Sequence, residues 1–224
     1  MSAQSAIGNR QSEISLVIFD LGRVLIRICN NWREAAALAG IEIPHDRPYV
    51  SDDAAQPDQE AIVLLDTGRI DLNEFARRVA VTRGIPPQHV IRAYDIFLRQ
   101  PYPGAVELID ELHASGLRTA CLSNTSDGHW RQMCDPGHSS FFPLDRLTWR
   151  FASHLIGACK PSDAIYEHVE QTTELAPSSI LFFDDLEENV AAARRRDWNA
   201  HLIRLDADPI AQARRHLRVY GTLA

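Results

Sequence analysis

No stretch of this chain is apolar for long enough to cross a membrane, and its first eleven residues are polar, without the hydrophobic run of a leader. A cytoplasmic protein is the expectation. Excess positive charge is missing too. The 23 basic and 30 acidic residues leave a net charge of −7, so there is no general electrostatic footprint for nucleic acid. The one basic run, Arg194-Arg195-Arg196, follows Glu187 and Glu188 and reads as a solvated helix end. Cysteine is scarce: Cys29, Cys121, Cys134 and Cys159 are widely spaced with no CxxC pair. That spacing argues against zinc and against a disulfide framework, and for a reducing compartment. Cys121 and Cys159 adjoin apolar or small residues and are expected to be core thiols. Glycine-rich phosphate motifs are also absent, since Gly22 and Gly157 stand in neither a Walker loop nor a GxGxxG fingerprint.

What is present is an ordinary globular composition, 45% hydrophobic and 24% charged over 224 residues. A chain of this length can bury roughly 70% or more of its unfolded surface. It suits one domain, alone or carrying a smaller inserted one. Short apolar runs at 16–19, 117–122, 179–183 and 200–205 predict buried strands, with a further short one within 146–154. Helical patterns fall between them at 105–114, 162–171 and 187–196, with Pro161 well placed to start the second from Ser162. This alternation predicts an α/β fold, a Rossmann-like three-layer core with a parallel sheet between helices.

Between about 27 and 98 the pattern is helical, with no convincing run of strands. Helices are predicted over 30–38 up to Gly40, over 59–65 up to Gly68, from Asp71 to Gly84, and from Pro86-Pro87 to about Leu98. Residues 41–58, broken by three prolines, predict irregular chain or one short helix. The expected division is therefore a core of 14–26 and 99–224 with a small helical cap, 27–98, inserted into it.

Three of the predicted strands end in polar residues: Asp20, Ser123-Asn124 and Asp184-Asp185. In a parallel sheet such tips open on one edge, where open α/β sheets keep their chemistry. A carboxylate there can attack phosphorus. Ser123, backbone amides and Lys160 can neutralise phosphoryl oxygens, and the remaining carboxylates suit Mg²⁺, which takes hard oxygen ligands.

The wording and order of these motifs, FDLGRVL at 19–25, LSN at 122–124, CKPSDAIYEHV at 159–169 and FFDDLEENVAAA at 182–193, resemble the four signature motifs of the haloacid dehalogenase-like hydrolases. The resemblance runs from residue 16 to about 205, and DTGRIDLNEF at 66–75 is similar to the small helical cap of the phosphatase branch. Within that branch the chain looks most like bacterial sugar-phosphate phosphatases, among them the alpha-glucose-1-phosphate phosphatase.

The resemblance implies a Mg²⁺-dependent phosphomonoester hydrolase acting on a small phosphorylated metabolite. Asp20 would be the nucleophile that becomes an aspartyl-phosphate. Ser123, with the Asn124 backbone amide, would hold the phosphoryl group, and Lys160 would pair with both phosphate and nucleophile. Asp185, Asp20 and the Gly22 carbonyl would hold Mg²⁺, with Asp184 and Asn189 orienting Lys160 or the metal's waters. No nucleic-acid or membrane partner is implied, and the chain would act as a monomer or homodimer.

One residue departs from the family's usual pattern. The position two after the nucleophile, commonly an aspartate that protonates the leaving group, is Gly22. Losing such an acid typically costs about 10²–10⁴-fold. Three readings follow: another donor in the protein, either an acid of the cap or His129; the substrate or solvent itself as donor to a good leaving group; or a weak or inactive protein that binds a phosphorylated ligand or partner. Arg27, Trp32 and Arg69 are the candidate substrate contacts in the cap region.

Overall fold

The computed structural model describes residues 14–42 and 56–223. Its centre is β1 (Leu16–Phe19), all four residues of which are buried. Four parallel strands join it: β4 (Arg118–Ser123), β5 (Trp149–Ala152), β6 (Ile180–Asp184) and β7 (Asn199–Leu202), in the spatial order β5-β4-β1-β6-β7. Since side chains alternate along a strand, β1 feeds two cores at once. Val17 and Phe19 pack with α5 (Ala105–Ala114) and α10 (Pro209–Val219) on one face. Leu16 and Ile18 pack with α8 (Asp163–Thr173) and α9 (Glu187–Arg195) on the other. This burial on both faces makes the strands read as unbroken apolar runs.

Between β2 (Ile26–Ile28) and β3 (Leu98–Pro101) the chain leaves the sheet and forms α1 (Trp32–Leu38), α2 (Gln56–Asp66), α3 (Leu72–Arg83) and α4 (Pro87–Phe97). Phe75 and Val79 of α3, Leu65 of α2, and Val90 and Tyr94 of α4 form this cap's own apolar centre. The helix ends follow the predicted chemistry. Asp71 accepts the Glu74 amide at 2.7 Å, and Gly84 closes α3 in the left-handed conformation.

Four features differ from expectation. The insert is entered and left through a two-stranded antiparallel ribbon, Ile26 facing Pro101 and Ile28 facing Leu98. Strands of three and four residues, one ending in proline, are too short for periodicity to show. Pro161 stands before the Ser162 cap of α8 and not inside the helix. Cys159 is only half-buried, whereas Cys29 is buried with Cys121. The closing helix α10 also lay beyond the predicted elements, although Asp208 caps it and Pro209 starts it. Of the irregular region expected at 41–58, residues 43–55 lie outside the described residues, as does the predicted polar tail before residue 14.

The turn after α2 fits tightly against the core. Gly68 has φ +69°, and a Cβ there would lie 2.8 Å from the His154 carbonyl oxygen in α7 (Ser153–Ile156). Gly68→Ala is expected to destabilise the protein by roughly 1–3 kcal/mol, combining left-handed backbone strain with the displaced contact. Urea unfolding of the two proteins reads this directly. An unchanged midpoint would mean that the turn yields freely.

Candidate active site

Because β1 is the sheet's middle strand, with β4 on one side and β6 on the other, the carboxyl ends of all three open together. Asp20 follows β1, Ser123 ends β4 and Asp184 ends β6. A backbone bond from the Asp20 amide to the Phe183 carbonyl, 2.8 Å, carries the ladder to the site itself. Lys160 enters from the loop before α8. Its ammonium lies 3.0 Å from Asp20 Oδ1 and 2.6 Å from Asp184 Oδ2, with the side chain almost wholly buried. Burial disfavours that charge, but Asp184 and then Asp20 outweigh it and raise the ammonium above the usual lysine range.

Each partner is held in turn. Asn189 Nδ2 and the Leu186 amide donate to Asp184 Oδ1 at 2.9 and 2.8 Å. Asn124 does something the sequence did not reveal. Its side chain exchanges two hydrogen bonds with the Lys160 backbone, donating to the carbonyl at 2.9 Å and accepting from the amide at 2.8 Å. The residue expected to offer a backbone amide therefore also fixes the lysine loop. Ser153 Oγ secures the neighbouring Thr125, accepting its amide and donating to its carbonyl at 2.9 and 3.0 Å.

Carboxylate oxygens of Asp20, Asp184 and Asp185 lie within 4.8 Å of one another. Burial raises the Asp20 carboxyl to about 7; Lys160 pulls it down, while Asp184 and Asp185 push it up. Burial, then Asp184, also raises Asp185. Three crowded acids with hard oxygen donors fit a small divalent cation such as Mg²⁺, whose charge would relieve their repulsion. Arg23 already lies 3.4 Å from Asp185 Oδ2 and donates to the Asn30 carbonyl at 3.1 Å. Nothing in the spacing pointed to it.

Arg23, with φ +58°, is also the left-handed residue of the turn, and Gly22 is not. The chain does turn there, with the Leu21 carbonyl accepting the amides of Val24, Leu25 and Ile26. A Cβ built on Gly22 would meet nothing nearer than Ile28 Cδ1 at 3.6 Å, an ordinary contact. Neither backbone conformation nor space demands glycine at this position.

A cavity of about 190 Å³ lies between cap and core. Gly22, Ser123, Asn124 and His129 line it from the core side, and Trp32, Leu65, Asp66, Phe75 and Tyr94 from the cap. His129 stacks on Tyr94 with ring centres 3.8 Å apart, and its Nε2 lies 2.9 Å from the Tyr94 carbonyl. Burial lowers its pKa to about 4, so it is neutral at pH 7 and lacks the proton of an imidazolium. Tyr94 further pairs with the Ser126 hydroxyl and accepts the His129 amide at 3.1 Å, tying α4 to the core. Of the three cap residues singled out in the sequence, only Trp32 lines the cavity. Arg27 and Arg69 are exposed, and Arg27 lies over Tyr102, 5.1 Å from the ring centre.

Residues 14–196 match the model of the haloacid dehalogenase-like hydrolases. Among curated proteins, 110 residues are 34% identical to mouse (Mus musculus) acyl-CoA dehydrogenase family member 10, covering 47% of this chain and 9% of that one. A further 107 residues are 29% identical to a Mycobacterium tuberculosis protein named a phosphatase, 46% of each chain. This chain thus spans less than half the length of either relative. Solved structures agree in fold. A predicted HAD-like hydrolase of Porphyromonas gingivalis superposes with TM-score 0.73 at 24% identity, over 92% of this chain and 99% of that one. A Bacteroides thetaiotaomicron HAD-family enzyme, in complex with magnesium and inorganic phosphate, gives 0.68 at 22%, over 87% and 96%. The L-2-haloacid dehalogenase of Xanthobacter autotrophicus, with chloropropionic acid covalently bound, gives 0.60 at 21%, over 94% and 84%.

Proposed function

This chain belongs to the haloacid dehalogenase-like hydrolases, and from that premise we propose that it is a Mg²⁺-dependent phosphomonoester hydrolase acting on a small phosphorylated metabolite. The observation that carries the reading is Lys160, held between Asp20 and Asp184 beside a third carboxylate, Asp185. Asp20 attacks phosphorus and becomes the aspartyl-phosphate, which water then hydrolyses. Lys160 holds Asp20 in place and meets the phosphoryl oxygens together with Ser123 Oγ and the Asn124 amide. Asp20, Asp185 and the Gly22 carbonyl would hold Mg²⁺, which when bound would neutralise phosphoryl charge. Asp184 and Asn189 orient Lys160, or would orient the waters of a bound metal. Residues 14–26 and 99–224 form the hydrolytic core, and 27–98 form the cap that covers the leaving group. The magnesium and phosphate of the Bacteroides complex support this chemistry.

Sugar phosphates are one substrate class to test, because the motifs resemble those of the alpha-glucose-1-phosphate phosphatase. A second reading, a weak or inactive protein that binds a phosphorylated ligand, draws on Gly22. One screen separates them: phosphate release from sugar phosphates, nucleotides, phosphorylated acids and aryl phosphates, with Mg²⁺ and with EDTA. Mg²⁺-dependent release from at least one compound is expected. Binding of beryllium fluoride with Mg²⁺ but no release from any compound would favour the second reading and end the first.

A further inference from the structure

We propose that Asp66, the last residue of cap helix α2, is the proton donor to the leaving group, standing in for the side chain that Gly22 lacks. The inference rests on the phosphatase reading. Asp66 lines the same cavity as Gly22, Ser123 and Asn124, so a phosphate held by Ser123 and Asn124 directs its ester group toward the space that Asp66 shares. The rest of the cavity's lining from α2, α3 and α4 is apolar or aromatic, namely Ile62, Leu65, Phe75, Tyr94 and Phe97. The Gly68 turn two residues on is pressed against the core at His154, which holds this corner of the cap in place.

The surroundings keep the acid protonated. Burial alone raises Asp66 to about 7, and no cation or hydrogen-bond donor among the described residues offsets it. The titratable groups around it are silent near neutrality. Tyr94 is raised to about 12 and Cys159 to about 11 by burial, and His129 is lowered to about 4. Arg69, on the same turn, is exposed. The Asp66 proton is therefore present at pH 6 and is lost as the pH rises through about 7.

Asp20 Oδ forms a bond to phosphorus while the bond from phosphorus to the ester oxygen breaks. That oxygen keeps the electron pair and takes the Asp66 proton, so the product leaves as a neutral alcohol. The Asp66 carboxylate then takes a proton from the water that attacks the aspartyl-phosphate, restoring both carboxyl groups to their starting states.

The test compares wild type and Asp66→Asn on p-nitrophenyl phosphate, whose leaving group departs without a proton, and on phenyl and alkyl phosphates, whose leaving groups need one. For the alkyl ester kcat/KM is expected to fall about 10²–10⁴-fold, the usual size of a lost general acid. The p-nitrophenyl ester should lose far less. The wild-type decline in alkyl-ester turnover above pH 7 should vanish in Asp66→Asn. Adding Gly22→Asp to that variant should restore alkyl-ester turnover at least partly, because a Cβ at 22 meets only ordinary contacts and the position lines the cavity. Equal losses on all three esters, or none, overturn the assignment. Thermal unfolding of Asp66→Asn at pH 8 checks that the fold is intact. Wild type inactive on all three esters in Mg²⁺, and on the wider screen, would instead remove the phosphatase reading itself.

Discussion

Asp20→Asn is expected to abolish phosphate release while leaving the protein folded. Amide for carboxylate removes the proposed nucleophile and nothing of the backbone that positions it. Losses of a nucleophile reach about 10⁶-fold in kcat in well-studied hydrolases, so turnover should sink into the background. The fold should tolerate the change because Asp20 is one of three crowded carboxylates, and removing its charge lessens their mutual repulsion. Mg²⁺ binding should weaken, since the site loses a charged ligand. Steady-state phosphate release, near-ultraviolet circular dichroism and Mg²⁺ titration by calorimetry measure the three effects. Turnover within tenfold of wild type would place the nucleophile elsewhere.

Lys160→Met should do the opposite to stability and the same to activity. The ammonium sits between Asp20 and Asp184 with almost none of its side chain exposed. Methionine fills the volume and leaves two buried carboxylates facing each other without a cation. Breaking a buried pair in this way costs about 3–5 kcal/mol. For a chain of this length that is a fall in Tm of roughly 6–20 °C, at about 2–4 °C per kcal/mol. Added Mg²⁺ should recover part of that loss by supplying positive charge beside Asp20, but not the activity. Lys160→Arg should fare little better in turnover. Contacts of 3.0 and 2.6 Å to two acids suit a compact ammonium, and a planar guanidinium needs a wider slot. Thermal unfolding with and without Mg²⁺ decides, and a Tm within 2 °C of wild type would mean that the carboxylates relax to water.

Lys160 is marked in the sequence by composition as well as by motif. It is the only lysine among the chain's 23 basic residues, all others being arginine. A lone lysine among 22 arginines is a compositional signal that points to the same residue as the motif at 159–169. Reductive methylation with labelled formaldehyde would give a single lysine resonance, reporting directly on this site. Asp66 carried a fainter mark. An acid at a helix C-terminus opposes the helix dipole, so its placement there is costly unless neutrality serves a purpose. Arg23 carried none, because its approach to Asp185 spans 162 residues of sequence.

The sequence by itself determined the layered α/β core, the strand ends and the residues that meet there. Buried parallel strands are read as unbroken apolar runs, helices announce their caps, and the polar residues after three such runs must share one edge of a parallel sheet. It also determined that the insert is helical, because Asp71, Gly84 and the paired prolines punctuate it locally. The tertiary structure alone decided what the insert places over the site. Whether Asp66, His129, Arg27 or Arg69 faces the cavity depends on how one helix corner docks against His154 and how Tyr94 meets Ser126. Those contacts join segments far apart in the chain, and no local period encodes them. The same is true of burial, which turns an ordinary aspartate into an acid that keeps its proton near neutral pH.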